Sequence, residues 1–226
     1  MEYRNELKYI CTEKDFEIIR HRLKVIMLKD KNLKNEDGYN IRSIYFDNYN
    51  NDFFYQNDAG VNDRIKVRIR IYDKSKETIK LEIKAKKNAM TKKNSCLISE
   101  KVFYKLINGT ISFEECNNKV LRQVFIMIKT ELLKPKVIVE YDRYVFINKI
   151  GNVRITFDKN IRVSDKIERF FEDNIYATPI QEIGNHVLEI KFDEILPDYI
   201  TTTLELGTLT TTSFSKYYLS MMKYIL

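Results

Sequence analysis

The chain has 226 residues, 44% of them hydrophobic, with only 3 Pro and 6 Gly, so it can bury a substantial core and carries no linker composition; one domain over 1–226 is expected. Lys and Arg total 39 against 32 Asp and Glu, a formal charge of +7, which points to a polyanionic partner such as phosphate compounds, nucleic acid or an anionic membrane surface. Cys11, Cys96 and Cys116 lack a CxxC spacing and His21 and His186 are the only histidines, which argues against a disulfide framework and against a zinc site.

Strand-like alternation recurs more often than helical periodicity, and in an extended strand successive side chains point to opposite faces. "YRNELKYI" (3–10) puts Arg4, Glu6 and Lys8 on one face. Thr12 opens "TEKDFEIIRHRLKVIM" with Asp15 three residues on, a variant of the capping box, and Phe16, Ile19, Leu23 and Ile26 or Met27 form an apolar helical stripe. "NIRSIYFDN" (40–48) reads as a strand ending in turn residues. In "RIKVRIRIYDK" (64–74), Arg64, Lys66, Arg68 and Arg70 alternate with Ile65, Val67, Ile69 and Ile71. "ETIKLEIKAK" (77–86) sets Lys80, Glu82, Lys84 and Lys86 against Ile79, Leu81, Ile83 and Ala85.

"SCLISEKVFY" (95–104) is a further strand candidate, and 117–132 reads as a helix with Asn117 or Asn118 near its cap. "PKVIVEYDRYVF" (135–146) and "GNVRITFDKNIR" (151–162) form a strand pair joined at "NKIGN", with Arg154, Thr156 and Asp158 opposing Val153, Ile155 and Phe157. "HVLEIKFDE" (186–194) repeats the scheme, Glu189, Lys191 and Asp193 opposing Leu188, Ile190 and Phe192. The end, "SFSKYYLSMMKYIL", reads as an amphipathic helix capped by Ser213; packing over one end of a barrel is expected of it, a membrane-surface anchor being the alternative. The sum is an α+β fold: an antiparallel sheet of about eight strands with a few helices.

A solvated sheet face favours mixed signs, because like charges facing each other destabilise it. Neighbours at i and i+2 lie about 7 Å apart and repel by about 2.4 kcal/mol at an effective dielectric near 20. Same-sign rows on several strands, with helices needing the apolar side, predict that the charged side curves towards itself into a closed or nearly closed barrel with a charged tunnel and flanking helices. Such a lumen would be filled by water, phosphate and a divalent cation. No Walker A or GxGxxG segment appears, so phosphate would be held by side chains, bidentately by Arg and as a point charge by Lys. Glu6, Glu82, Asp158 and Glu189, on the same faces, are the expected partners for Mg²⁺ or Mn²⁺, and each also reads as a salt-bridge partner of its basic neighbours.

The ordered segments "RNELKY" (4–9), "SIYFDN" (43–48), "KVRIRIY" (66–72), "LEIKAK" (81–86), "SEK" (99–101), "VEYDRYVF" (139–146), "VRITFD" (153–158), "LEIKFD" (188–193) and "FSKYYLS" (214–220) run from Tyr3 to about Lys223. In this series the chain resembles the triphosphate tunnel metalloenzymes, and within them the VTC (vacuolar transporter chaperone) catalytic domain, a polyphosphate polymerase. The resemblance implies a tunnel of antiparallel strands in which the ATP γ-phosphate moves onto a growing polyphosphate chain, releasing ADP. It further implies that Lys8, Arg68, Arg70, Lys84, Lys101, Arg143, Arg154 and Lys216 form the catalytic phosphate-binding set. Lys66, Lys86, Lys191 and Ser215 would add substrate contacts; Glu189 would be the metal ligand, with Glu6 and Glu82 as helpers. No side-chain nucleophile is expected, since phosphoryl transfer rests on in-line positioning and charge neutralisation.

Lys86 stands where some members have a histidine, and Arg143 shares strand parity with Val137, Val139 and Tyr141, so its inward direction needs a bulge or a mixed face. Triphosphatases and adenylate cyclases of the same superfamily are the first rival reading, and a non-catalytic binder of polyphosphate or nucleotide the second. An excess of basic over acidic residues on the inward faces favours holding a long polyanion. Nucleic acid is not expected, because most Tyr and Phe of the strands sit opposite the charges or at strand ends. His21 and His186 read as structural. Without a signal peptide or an apolar run of about 18 residues, a cytoplasmic protein follows. The inositol-phosphate-binding and membrane domains of eukaryotic relatives have no counterpart in the 226 residues, so regulation and export are expected from separately encoded proteins. Oligomeric state is not legible.

Overall fold

The computed structural model describes residues 5–30, 38–87 and 90–225; Arg4 and part of the turn after Lys86 lie outside the described residues. In chain order the elements are β1 (Asn5–Thr12), α1 (Glu13–Ile26), β2 (Leu28–Lys29), β3 (Tyr39–Asp47), α2 (Asp52–Asp58), β4 (Arg64–Tyr72), β5 (Ile79–Lys87), β6 (Met90–Ile98), α3 (Glu100–Ile107), α4 (Lys119–Thr130), β7 (Lys134–Asn148), β8 (Val153–Ser164), β9 (Thr178–Pro179), β10 (Asn185–Phe192), α5 (Asp198–Leu204) and α6 (Lys216–Ile225). The hydrogen-bonded order is β1-β10-β8-β7-β3-β4-β5-β6, with the two-residue strands β2 on β7 and β9 on β8. The chain divides into two compact units, neither a continuous segment. The first takes Tyr141–Arg162, Pro179–Ser215 and the described residues up to Asn40; the second takes Ile41–Glu140, Val163–Thr178 and the residues from Lys216 on.

In the first unit β1, β10 and β8 pair antiparallel, Lys8 opposite Glu189 and Glu189 opposite Thr156. Parity then sends Tyr9, Cys11, Leu188, Ile190, Ile155 and Phe157 to one face, where they form a single cluster with Phe16, Ile19 and Leu23 of α1 and Ile200 and Leu204 of α5. The start of α1 is fixed as its sequence predicts: the Asp15 N–H donates to the Thr12 hydroxyl at 3.2 Å and the Thr12 N–H to the Asp15 carboxylate at 2.9 Å. His186 is buried beside this core, its Nε2 against the Glu13 carboxylate, and Glu13 also takes Lys159 at 2.7 Å. Gly38 has φ +102°, and a Cβ there would run into the carbonyl oxygen of Arg143, so only glycine lets the chain pass that strand so closely.

In the second unit the same parity buries Val67, Ile69 and Ile71 of β4 with Leu81 and Ile83 of β5 and Ile44 and Phe46 of β3. Helix α4 packs on β5 and β6 through a stripe of Leu121, Val124 and Ile128. One charged pair stands on this apolar side: Arg42 and Glu140, with side chains 0% and 1% exposed. Arg42 also donates to the carbonyls of Phe170 (2.8 Å) and Glu172 (2.6 Å), so its buried charge is fully met by acceptors.

Three expectations are corrected. Eight strands make the main ladder, as anticipated, but the sheet is not closed: among the described residues no pairing joins β1 to β6. The free side of β1 is taken instead by its own unit, through a bridge between Tyr9 and Thr211 and a 2.9 Å bond from the Thr212 N–H to the Lys8 carbonyl. The strand expected over 95–104 stops at Ile98, because Ser99 accepts from the Val102 N–H at 3.3 Å and caps α3, whose Phe103 and Leu106 recur at helical spacing. The last helix begins at Lys216, three residues beyond Ser213, so Ser213 does not cap it. Leu23 is 0% exposed at the centre of the first unit's core. Leu23→Ala should cost about 3 kcal/mol of unfolding free energy, read from urea denaturation, with little change in slope.

Candidate functional site

The faces opposite the two cores carry the charges, and they differ. In the first unit, Glu6 and Lys8 of β1 stand opposite Lys191 and Glu189 of β10. The four close into a ring of alternating sign: Lys8 lies 2.7 Å from Glu6 and 3.9 Å from Glu189, and Lys191 lies 2.7 Å from Glu189 and 3.7 Å from Glu6. The Lys8 ammonium also donates to the Phe214 carbonyl at 3.1 Å. Arg154 stands opposite Lys191 and reaches Asp30 at 2.9 Å. Arg143 reaches the same face and holds Asp158 with two bonds of 2.6 and 2.7 Å. Burial works against the Arg143 charge, but Asp158, Tyr141 and Glu189 more than offset it and keep the guanidinium protonated. Lys8, Lys191, Arg154 and Arg143 are thus balanced by Glu6, Glu189, Asp30 and Asp158.

In the second unit the cross-strand register sets like charges opposite each other. Arg64 faces Lys86, Lys66 faces Lys84, Arg70 faces Lys80, and Lys84 faces Lys93 on the next strand. Only Arg68 faces a carboxylate, Glu82, which is the one acid in β4, β5 and β6. Like charges directly opposite each other are unfavourable, so Glu82 carries the whole compensation available from these strands. Its side chain is 1% exposed, 2.6 Å from the Arg68 Nε and 2.5 Å from the Lys93 Nζ. Burial alone would raise its pKa, but Arg68, Arg70 and Lys93 hold the carboxyl down at about 2. Arg70 donates from Nε to the Ser43 hydroxyl at 3.1 Å, and Arg68 donates to the Tyr45 hydroxyl at 3.1 Å.

The residues expected at the site therefore fall into two groups. The first unit brings together Glu6, Lys8, Arg143, Arg154, Glu189 and Lys191; the second brings together Lys66, Arg68, Arg70, Glu82, Lys84 and Lys86 on one sheet face. Lys216 opens α6, close enough to Tyr45 to act on its phenol, and Ser215 is half-buried just before that helix. Lys101 is exposed and lies on α3 rather than on a strand, where it and Lys105 act on Glu115. Reading the sequence misses Asp30, Lys93, Ser43 and Tyr45. Asp30 and Lys93 lie in stretches without clean alternation. Tyr45 has the right parity but reads as core, since most strand aromatics are core.

Glu82 contributes stability that is fully present above its ordinary carboxyl value of 4.5 and is lost as pH falls towards about 2. Glu82→Gln should lower unfolding free energy at pH 7 by on the order of 3 kcal/mol, and the gap to wild type should narrow steadily below pH 4.5. Urea midpoints taken between pH 7 and 3.5 check this; a gap independent of pH would refute it.

The VTC domain model matches residues 3–225. A search of curated proteins returns no match. Among solved structures, a candidate adenylate cyclase from Bacillus halodurans is 15% identical over 95% of this chain and 94% of its own, with a TM-score of 0.55. A candidate adenylyl cyclase from Hippeastrum, described as having a dominant triphosphatase activity, is 14% identical over 100% of this chain and 98% of its own, with a TM-score of 0.58. At such identities the likeness is one of fold. The match across residues 3–225 decides the family: the chain belongs to the VTC domain family.

Proposed function

We propose that this protein is a polyphosphate polymerase, transferring the γ-phosphate of ATP to the end of a growing polyphosphate chain with a divalent cation, Mn²⁺ or Mg²⁺. The observation that carries this reading is the face of β4, β5 and β6, where Arg64, Lys66, Arg68, Arg70, Lys80, Lys84, Lys86 and Lys93 meet the single carboxylate of Glu82. A linear chain of phosphates is the ligand that such a row of cations fits, since each repeat brings about one negative charge and no base or sugar is needed to hold it.

In the reaction a terminal phosphate oxygen of the polymer attacks the γ-phosphorus in line, the bond to the β-phosphate oxygen breaks, and ADP leaves. Arg68 and Arg70 would hold phosphate oxygens by directed N–H bonds, and Lys66, Lys84, Lys86 and Lys216 would supply point charges. In the first unit, Lys8, Arg143, Arg154, Lys191 and Ser215 are the proposed further phosphate contacts. No side chain needs to form a covalent intermediate.

Glu6 and Glu189 fit a divalent cation. They project from adjacent strands onto one face, and Mg²⁺ or Mn²⁺ is commonly held by one or two carboxylates with the remaining positions filled by phosphate oxygens and water. Among the described residues no group of three or more His, Cys, Asp or Glu stands together that could hold a metal ion. Held by Glu6 and Glu189, the cation would neutralise negative charge developing during the transfer. Glu82, with both oxygens engaged by Arg68 and Lys93, is assigned to anchoring the cationic face.

The second reading, a triphosphatase, is favoured by the fold shared with the Hippeastrum protein, whose described activity is hydrolytic. Among the described residues no helix is long and apolar enough to cross a membrane. Incubated with ATP and Mn²⁺, the purified protein should release ADP together with acid-insoluble polyphosphate. Glu189→Gln should slow both by at least about a hundredfold. Free phosphate without polymer would establish the hydrolase instead, and polyphosphate binding without turnover in either form would reduce the protein to a binder.

A further inference from the structure

We propose that Tyr45 and Tyr217 are positioning residues for phosphate binding, holding the Arg68 guanidinium in the orientation that receives an anionic phosphate chain. The proposal rests on the phosphate-binding reading of the β4 face and adds what fixes that face in place.

An arginine on a sheet surface has four rotatable bonds and no preferred direction unless its donors are spoken for. Arg68 is held on two sides: Nε by Glu82 at 2.6 Å and one terminal nitrogen by the Tyr45 hydroxyl at 3.1 Å, its guanidinium carbon lying 5.9 Å from the Tyr45 ring centre. Tyr45 itself is 5% exposed and stacks on Tyr217 of α6, ring centres 5.2 Å apart and planes within 23°. Tyr217 donates its hydroxyl to Asp47. Asp47 is 0% exposed and is anchored to backbone, because it also accepts from the N–H groups of Asn48 (2.8 Å), Phe53 (3.0 Å) and Phe54 (3.0 Å). The line from the Asp47 turn through Tyr217 and Tyr45 to Arg68 is continuous. It also sets Lys216, one residue before Tyr217 on the same helix.

The charges around Tyr45 report the same convergence. Burial pushes its phenol up, yet Arg68, Arg70, the hydrogen bond from Arg68 and the charge of Lys216 together pull it below the ordinary tyrosine value. Tyr217 is the opposite case: burial and the Asp47 charge push it up, so it remains a donor. A polyanion bound to Arg68, Arg70 and Lys216 would cancel the charges that favour Tyr45 ionisation, and its titration would move back up. A residue that merely filled space would give no such response.

The test uses the full chain and tripolyphosphate, without divalent metal so that no turnover interferes. Tyr45→Phe removes the acceptor of Arg68 and keeps the stack; Tyr217→Phe removes the bond to Asp47 and keeps the stack. Tyr218→Phe, whose hydroxyl goes to exposed Asp58 from the next position of α6, is the control. By calorimetry Tyr45→Phe and Tyr217→Phe should each weaken tripolyphosphate binding by about tenfold, with melting temperatures close to wild type, while Tyr218→Phe binds normally. In alkaline titrations followed by tyrosinate absorbance, wild type should show an early-ionising tyrosine that tripolyphosphate shifts upward and that Tyr45→Phe lacks. Wild-type affinity in both variants, or an early tyrosine indifferent to tripolyphosphate, would overturn the positioning role. Failure of wild type to bind tripolyphosphate would overturn the phosphate-binding reading and this proposal with it; binding without polymer synthesis would remove the polymerase reading alone.

Discussion

Eight cations on one face of three neighbouring strands repel one another along each strand and across it, by about 2 kcal/mol per neighbouring pair at an effective dielectric near 20. Glu82, buried on that face between Arg68 and Lys93, offsets part of this repulsion. The arrangement is the reverse of a surface salt bridge. The acid is out of solvent and the bases surround it, so its charge acts in a low-dielectric setting and is fixed as an anion over the whole physiological range. Everything assigned to β4 presupposes that anchor, since the direction of Arg68 starts from it.

The first unit answers the same problem differently. Its polar face is neutralised pair by pair, with Glu6, Lys8, Glu189 and Lys191 in one ring and Arg154 and Arg143 each matched to an aspartate. The two faces thus differ in charge pattern, and the difference lies in where the acids fall in the sequence: two in the strands of the first unit's ring against one in β4, β5 and β6.

Most of the sheet was legible because its strands alternate strictly, and Arg64 to Ile71 could hardly be read otherwise. The capping box at Thr12 and Asp15 was equally legible, being a local hydrogen-bond pattern. Legibility ended where the decisive contact is distant in the chain. Asp30 meets Arg154, and Asp47 meets Tyr217, only after folding. The segment 95–104 misled because β-branched and aromatic residues suit a strand, while Ser99, a single cap, turned it into a helix and carried Lys101 off the sheet. Arg143 shared parity with buried valines, and the doubt about its direction was settled by Asp158, whose own position depends on the β8 register.

The order in which β1 finds its neighbours has a bearing on synthesis. Its ladder partner is Asn185–Phe192, and its other side is met at Thr211 and Thr212. β1 therefore leaves the ribosome long before either flank exists, with both rows of backbone groups open. The first unit cannot complete its sheet as it emerges; β1 must await residues 185–212, a nascent-chain interval in which the exposed strand is open to pairing with other chains.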